Sequence, residues 1–247
     1  MSLRRNNKAY MLLRHKGIAA ILCLVLLFNL LSCETEDPGP VQRSEKEFSI
    51  IDFDRLEIGS ALDVRVEQSS TYSIEVTGDR RNIDDLQVFK TGNTLVIKFD
   101  DNSNRIHDTY VTIKMPDLQG ATLSAASTSK INGFESDKDI DLMVSGASVC
   151  QFNAGYREVN LTLSGASSLL MSGLGDEINA EVSGASVLTA FDYPVREASI
   201  DVSGASSGKV TVTDELKAIA SGASVLIYRG NPSVTSSTSD NSTVVSD

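Results

Sequence analysis

Tryptophan is absent from this chain, histidine occurs twice, and only three cysteines are spread over 247 residues. Each shortage removes a class of function. His15 lies in a leader-like segment, so His107 alone remains for chemistry, and histidine-based triads and histidine-rich metal sites lack their parts. Bases are outnumbered, 22 against 33 acids, for a net charge of −11. With no Trp and no basic stretch outside the leader, nucleic-acid binding is not expected. Cys23 falls in the leader and Cys33 at its end, leaving Cys150 with no intrachain disulfide partner. No Gly-x-Ser-x-Gly elbow, Walker loop or zinc-finger spacing occurs. Ser127-Thr128-Ser129-Lys130 and Ser206-Ser207-Gly208-Lys209 fit Ser-x-x-Lys, but in strand-like sequence, where no helical turn brings Lys beside Ser.

No apolar run has the length of a membrane span, which needs about 20 residues. The longest, Ile18 to Leu31, follows the bases Arg4, Arg5, Lys8, Arg14 and Lys16 and ends in Leu30-Leu31-Ser32-Cys33. This is the layout of a secretory signal peptide over residues 1–32, and its end resembles the lipobox of bacterial lipoproteins. Cys33 is then the acylated residue and the expected membrane contact, since more than one acyl chain anchors stably without a transmembrane helix. Cleavage removes five bases and no acid, moving the net charge from −11 to −16. Residues 33–44 read as an acidic tether. Its opening, Glu34-Thr35-Glu36-Asp37, resembles the surface-export tag of Bacteroidetes-type lipoproteins. The expected location is the bacterial outer membrane, with the body facing either the surface or the periplasm.

What the chain has in abundance is alternation. Over 45–116, Leu62, Val64 and Val66, then Ile74 and Val76, then Leu95, Ile97 and Phe99, then Val111, Ile113 and Met115 alternate with polar residues. Period two marks half-buried strands. Thr91-Gly92-Asn93 reads as a hairpin turn, Asp84 and Asp85 as a short turn, and 100–104 as an exposed loop; no helical period stands out.

From 117 to 247 a four-residue phrase takes over. Ser-Gly-Ala-Ser begins at Ser145, Ser164, Ser183, Ser203 and Ser221, with degenerate copies at Ser124 and Ser239. A period of about 20 residues marks a solenoid. The three apolar positions before each phrase alternate with polar ones: Ile140, Leu142 and Val144, then Val159, Leu161 and Leu163, and so on. A second apolar cluster follows each phrase, and Cys150 occupies the place held elsewhere by Leu169, Leu188 and Leu226, as a small buried hydrophobe. Two strand runs and two corners per repeat give the expected fold. It is all-β, a right-handed parallel β-helix or β-solenoid with about 20-residue coils, preceded by and continuous with the alternating-strand region. Seven coils at ~4.8 Å would form a rod roughly 30–35 Å long.

The phrase is expected to be a structural ladder: Ser145, Gly146 and Ser148; Ser164, Gly165 and Ser167; Ser183, Gly184 and Ser186; Ser203, Gly204 and Ser206; Ser221, Gly222 and Ser224. Stacked hydroxyls can bond along it. Because Ala125 and Asp240 replace the glycine at the ends, small volume rather than positive φ is the expected demand there. Outward acids such as Asp141, Glu181 and Asp201 are ordinary for a solvated face, and any binding site is expected on such variable outward positions. The serines, if solvent-facing, would instead offer a polar ligand stripe.

The order Leu62-Asp63-Val64-Arg65-Val66, Tyr72-Ser73-Ile74-Glu75-Val76-Thr77-Gly78, Asn93-Thr94-Leu95-Val96-Ile97-Lys98, Val111-Thr112-Ile113-Lys114-Met115-Pro116 and then the Ser-Gly-Ala-Ser coils resembles the auto-transporter adhesin head, or GIN-domain, family of bacterial cell-envelope proteins. The resemblance covers about Phe48 onward. It implies an all-β fold with β-helical coils and no catalytic residues; no metal or cofactor is expected. The function expected from anchor, tether and repeats is adhesion or protein or glycan interaction without enzymatic activity. A carbohydrate-active β-helix enzyme and a periplasm-facing structural lipoprotein stay open as alternatives.

Overall fold

The structure, a computed structural model, describes residues 39–100 and 105–247. The leader, Cys33, most of the acidic tether and most of the 100–104 loop lie outside the described residues. Strand after strand forms, as the alternation dictates: β1 (Arg43–Phe48), β2 (Arg55–Ile58), β3 (Asp63–Gln68), β4 (Ser73–Asp79), β5 (Leu86–Thr91), β6 (Thr94–Phe99), β7 (Thr109–Met115) and β8 (Gly120–Leu123). Five long strands follow, β9 (Thr128–Val144), β10 (Val149–Leu163), β11 (Ser168–Val182), β12 (Val187–Val202) and β13 (Ser207–Ala220). The chain closes with β14 (Val225–Arg229), β15 (Ser233–Thr238) and β16 (Thr243–Ser246). They build a β-solenoid of about seven turns, each of ~19 residues.

Neighbouring coils pair in parallel and in register. Leu161 lies between Leu142 and Ala180, and Ala180 between Leu161 and Ile200. The apolar positions before each phrase are buried, Val144, Leu163, Val182 and Val202 each at 0–1 % exposure, and belong to one core running from Phe53 to Leu226. A period-two strand can bury that side only against its own coil's other face, so each coil needs its neighbours. The long strands β9 to β13 each bend through a second corner, giving the solenoid one strand face before the phrase and another after it. Residues 233–246 form the last coil, β15 pairing with β13 and β16 with β14.

The first coils are laid down out of order. β2 and β3 are joined by Gly59-Ser60-Ala61-Leu62, a corner that lacks the phrase but takes its place in the stack. β2 pairs in parallel with β8 on one side and β6 on the other, and β3 likewise with β9 and β7. The chain therefore builds this coil first, leaves to form the end of the rod, and returns across it to begin β8. Antiparallel strands close that end: β4 pairs with β7, β1 with β4, and β5 with β6 as the expected hairpin.

One short helix, α1 (Arg80–Asp85), stands where only a turn was expected. It is too short to show a helical period; its cap defines it. Asp79, 1 % exposed, accepts from the backbone N–H of Arg81 at 3.0 Å and of Gln42 at 2.9 Å, and from the Arg81 guanidinium at 2.8 Å.

Candidate functional site

The phrase is a tight corner. Its first serine is half-buried, the next two residues are exposed except for the half-buried Gly222, and the second serine is buried: Ser148, Ser167, Ser186, Ser206 and Ser224 are at 0–3 % exposure. Backbone N–H groups of the first serines donate to the strand ends of the preceding coil, as Ser164 does to Val144 O and Ser183 to Leu163 O. The buried hydroxyls act mainly on the backbone. Ser206 Oγ donates to Val182 O and Ser203 O, and Ser224 Oγ to Val202 O and Ser221 O, at 2.6–3.0 Å. Among the described residues, one hydroxyl-to-hydroxyl bond joins successive phrases, from Ser127 to Ser148 at 3.3 Å.

The corner requires left-handed backbone as well as small volume. Gly146, Gly165, Gly184, Gly204 and Gly222 have φ of +64° to +79°, and Ala125 and Asp240 adopt +53° and +56°. Two corner types account for Ala125. At Ala125-Ala126 and Gly146-Ala147 both residues have positive φ, and Gly146 O turns toward the earlier coil to accept from Ala126 N. From Gly165 on, only the glycine is left-handed, and its carbonyl turns the other way to accept from the later coil, as Gly165 O does from Ala185 N. There a Cβ on Gly184 would lie 2.4 Å from Gly165 O, whereas a Cβ on Gly146 would meet Ala125 N at 3.1 Å.

Neither Ser-x-x-Lys match assembles a nucleophile and base. Ser127 and Ser206 are buried, while Lys130 and Lys209 point to the outer side of the sheet. Cys150 is fully buried opposite Leu169, and burial pushes its thiol up to about 12. Beside it in the adjacent coil, Ser129 has a buried hydroxyl with no hydrogen-bond partner. Near the second corner, Phe152, Tyr156 and Tyr193 cluster; the Tyr156 hydroxyl donates to Leu118 O at 2.7 Å, and burial raises the Tyr193 phenol to about 12. These are packed interior groups, not a reactive surface. His107 lies toward the capped end, in a separate recess with Val41 and Tyr110. Among the described residues no group of three or more His, Cys, Asp or Glu side chains is placed to hold a metal ion.

The concave surface is the strand face before the phrase. A groove of about 860 Å³ runs across coils from Arg55 and Thr94 to Lys217 and Ile219. Its side chains are the outward positions: Asp141, Asn160, Asn179 and Ser199 in one column, and Met143, Thr162, Glu181, Asp201 and Ile219 in the next. A third column at its margin stacks Asp139, Glu158, Glu177, Glu197 and Glu215. Most of these carboxylates have partners on the same face. Arg157 bonds Asp139 and lies 3.7 Å from Glu158, Arg196 lies 3.5 Å from Glu197, Lys217 is 3.1 Å from Glu215, and Arg55 is 2.8 Å from Asp141. Asn179 donates to Glu158 at 3.0 Å and to Glu177 at 3.1 Å. Among the described residues, no aromatic side chain lines the groove.

The opposite strand face is different in kind. From β9 onward, its first and third positions after the buried serine read Thr128 and Lys130, Val149 and Gln151, Ser168 and Leu170, Val187 and Thr189, with no carboxylate in any coil. The signal for this segregation was present in the sequence. Counting back from the phrase puts Asp139, Asp141, Glu158, Glu177, Glu181, Glu197, Asp201 and Glu215 on the same face.

A parallel solenoid whose repeated residues build corners and whose variable residues line a groove defines a repeat scaffold of the adhesin-head type. The chain belongs to the family described as "Putative auto-transporter adhesin, head GIN domain", which matches residues 52–232. Solved structures share the fold. A "putative adhesin" from Bacteroides fragilis superposes with a TM-score of 0.75 at 16% identity, covering 83% of this chain and 96% of its own. A "putative adhesin" from Parabacteroides merdae gives 0.67 at 20% identity, covering 85% and 98%. A "Putative lipid binding protein" from Parabacteroides distasonis gives 0.66 at 19% identity, covering 83% and 96%. No curated protein matches the chain.

Proposed function

We propose that this chain is a lipid-anchored protein of the bacterial outer membrane, tethered through Cys33, whose solenoid serves non-enzymatic adhesion through the groove on its acidic strand face. The observation that carries the reading is the division of labour along each coil. The corner residues repeat, as packing demands, while the groove column changes from Met143 to Thr162, Glu181, Asp201 and Ile219. A fixed scaffold with a variable concave surface is how repeat proteins present contact residues. The family and the adhesin descriptions of its solved relatives support the same reading. The lipid-binding description of one relative fits this groove less well, because amides, hydroxyls and carboxylates make up most of its outward side chains.

The test uses cells lacking the protein, complemented with the parent chain or with Cys33→Ala. The expected result is that the parent fractionates with the outer membrane and restores adherence to matrix- and glycan-coated surfaces, while Cys33→Ala is recovered soluble and adheres no better than the deletion strain. Equal adherence of parent and deletion strains would overturn the adhesion reading. Retention of Cys33→Ala in the membrane would overturn the anchor.

A further inference from the structure

Glu181 and Asp201 stand apart from the other acids of this face. They are register partners in adjacent coils, about 4.8 Å apart along the stack, and directly opposed like charges destabilise a sheet. Their neighbours Asp139, Asp141, Glu158, Glu177, Glu197 and Glu215 each have a base or an amide beside them. Among the described residues, neither the Glu181 nor the Asp201 carboxylate has a hydrogen bond or ion pair, and both are exposed in the middle of the groove. Within their column the two acids and Thr162 are bracketed by exposed apolar side chains, Met143 at 46 % and Ile219 at 53 %, beyond which the column continues to Thr122 on one side and Ser237 on the other. The bracketed stretch reads apolar, hydroxyl, acid, acid, apolar over four coil steps, about 19 Å.

We infer that this column docks an extended basic segment of a partner protein, with an arginine or lysine set between Glu181 and Asp201 and apolar side chains against Met143 and Ile219. Charge complementarity selects the occupant. A cation supplied by the partner relieves the like-charge contact that this chain leaves uncompensated, and a guanidinium can engage both carboxylates at once. A segment of about six extended residues spans the stretch from Met143 to Ile219. Sugars are the poorer fit, because no aromatic ring lines the groove for stacking. The inference rests on the groove being the contact surface proposed above.

The experiment measures fluorescence anisotropy of labelled nine-residue peptides with the full chain in detergent. One peptide has arginine at its centre between Val and Thr residues; its twins have glutamine or glutamate there. The arginine peptide should bind best. Glu181→Gln combined with Asp201→Asn should weaken it about tenfold or more, and Lys130→Gln, on the other face, should leave it unchanged. Both groove substitutions are near-isosteric and exposed, and an unchanged thermal melt shows that the fold is intact. Unchanged binding by the double variant, or equal binding of the glutamine twin, overturns the inference. A neutral oligosaccharide that binds in place of the peptides and is lost with the same variant also overturns it, while leaving the adhesion reading standing. Conversely, peptide binding as described, with no adherence defect in the deletion strain, upholds this site and removes adhesion.

Discussion

Gly184 and Gly146 occupy the same place in successive corners, yet they face different neighbours. A methyl on Gly184 would sit 2.4 Å from a backbone carbonyl that cannot rotate away without breaking its bond to Ala185 N. A methyl on Gly146 meets Ala125 N at 3.1 Å, in a corner type that already holds Ala126 and Ala147 at positive φ. Gly184→Ala should therefore cost ~3 kcal/mol, the left-handed penalty plus displacement of the coil below, and Gly146→Ala only ~1 kcal/mol. Urea unfolding of the two variants beside the parent checks this; equal losses would show that the corner types do not matter. The small residue at each corner was legible in the sequence. Its conformational reason was not, because Ala125 argued against positive φ and only the turned carbonyls explain how Ala125 adopts it. The stacked hydroxyls were legible as buried-capable groups, but their acceptors are strand-end carbonyls such as Val182 O and Val202 O, positions that a phrase-by-phrase comparison does not reveal.

Among the elements, the regular coils β9 to β13 could be read from period and alternation alone, since parallel stacking repeats the same local pattern. The opening of the rod could not. β2 lies between β6 and β8, partners roughly 40 and 65 residues away, and its corner carries Gly59-Ser60-Ala61-Leu62 in place of the phrase. The closing end depends on α1 and its buried cap. The hydrogen bonds from the Arg81 side chain, and then the Gln42 N–H, hold the Asp79 carboxyl well below the usual carboxylate range. A depressed carboxylate contributes stability that is present in full above its unfolded value, about 3.9, and is lost as pH falls toward the folded value. Asp79→Asn should therefore lower the melting temperature at pH 7. The gap between variant and parent should narrow steadily below pH 4. A gap of constant size down to pH 2 would show that the charge of Asp79 contributes nothing to the cap.

At the scale of the whole molecule, the solenoid is two-faced. From β9 onward, acids collect on the strand face before each corner, and the first and third positions after it show Val, Leu, Ile, Thr, Ser, Gln and Lys. Asp141, Glu181 and Asp201 carry this acidity into the groove, and at its centre, Glu181 and Asp201, the charge is least compensated. Individual acids were visible in the sequence as ordinary solvated positions. Their meaning depends on which coils stack and which bases lie beside them, as Arg157, Arg196 and Lys217 do and as none does for Glu181 and Asp201. The central claim is that the corner ladder builds the rod and the outward column makes the contact. Its most direct test measures urea stability and cell adherence together for Gly184→Ala and for the Glu181→Gln, Asp201→Asn pair. The account predicts that Gly184→Ala loses stability while adhering like the parent per folded molecule. It predicts that the acid pair variant keeps its stability within about 0.5 kcal/mol and loses adherence about tenfold. Adherence that tracks stability in both variants, or an acid pair variant that adheres like the parent, would contradict it.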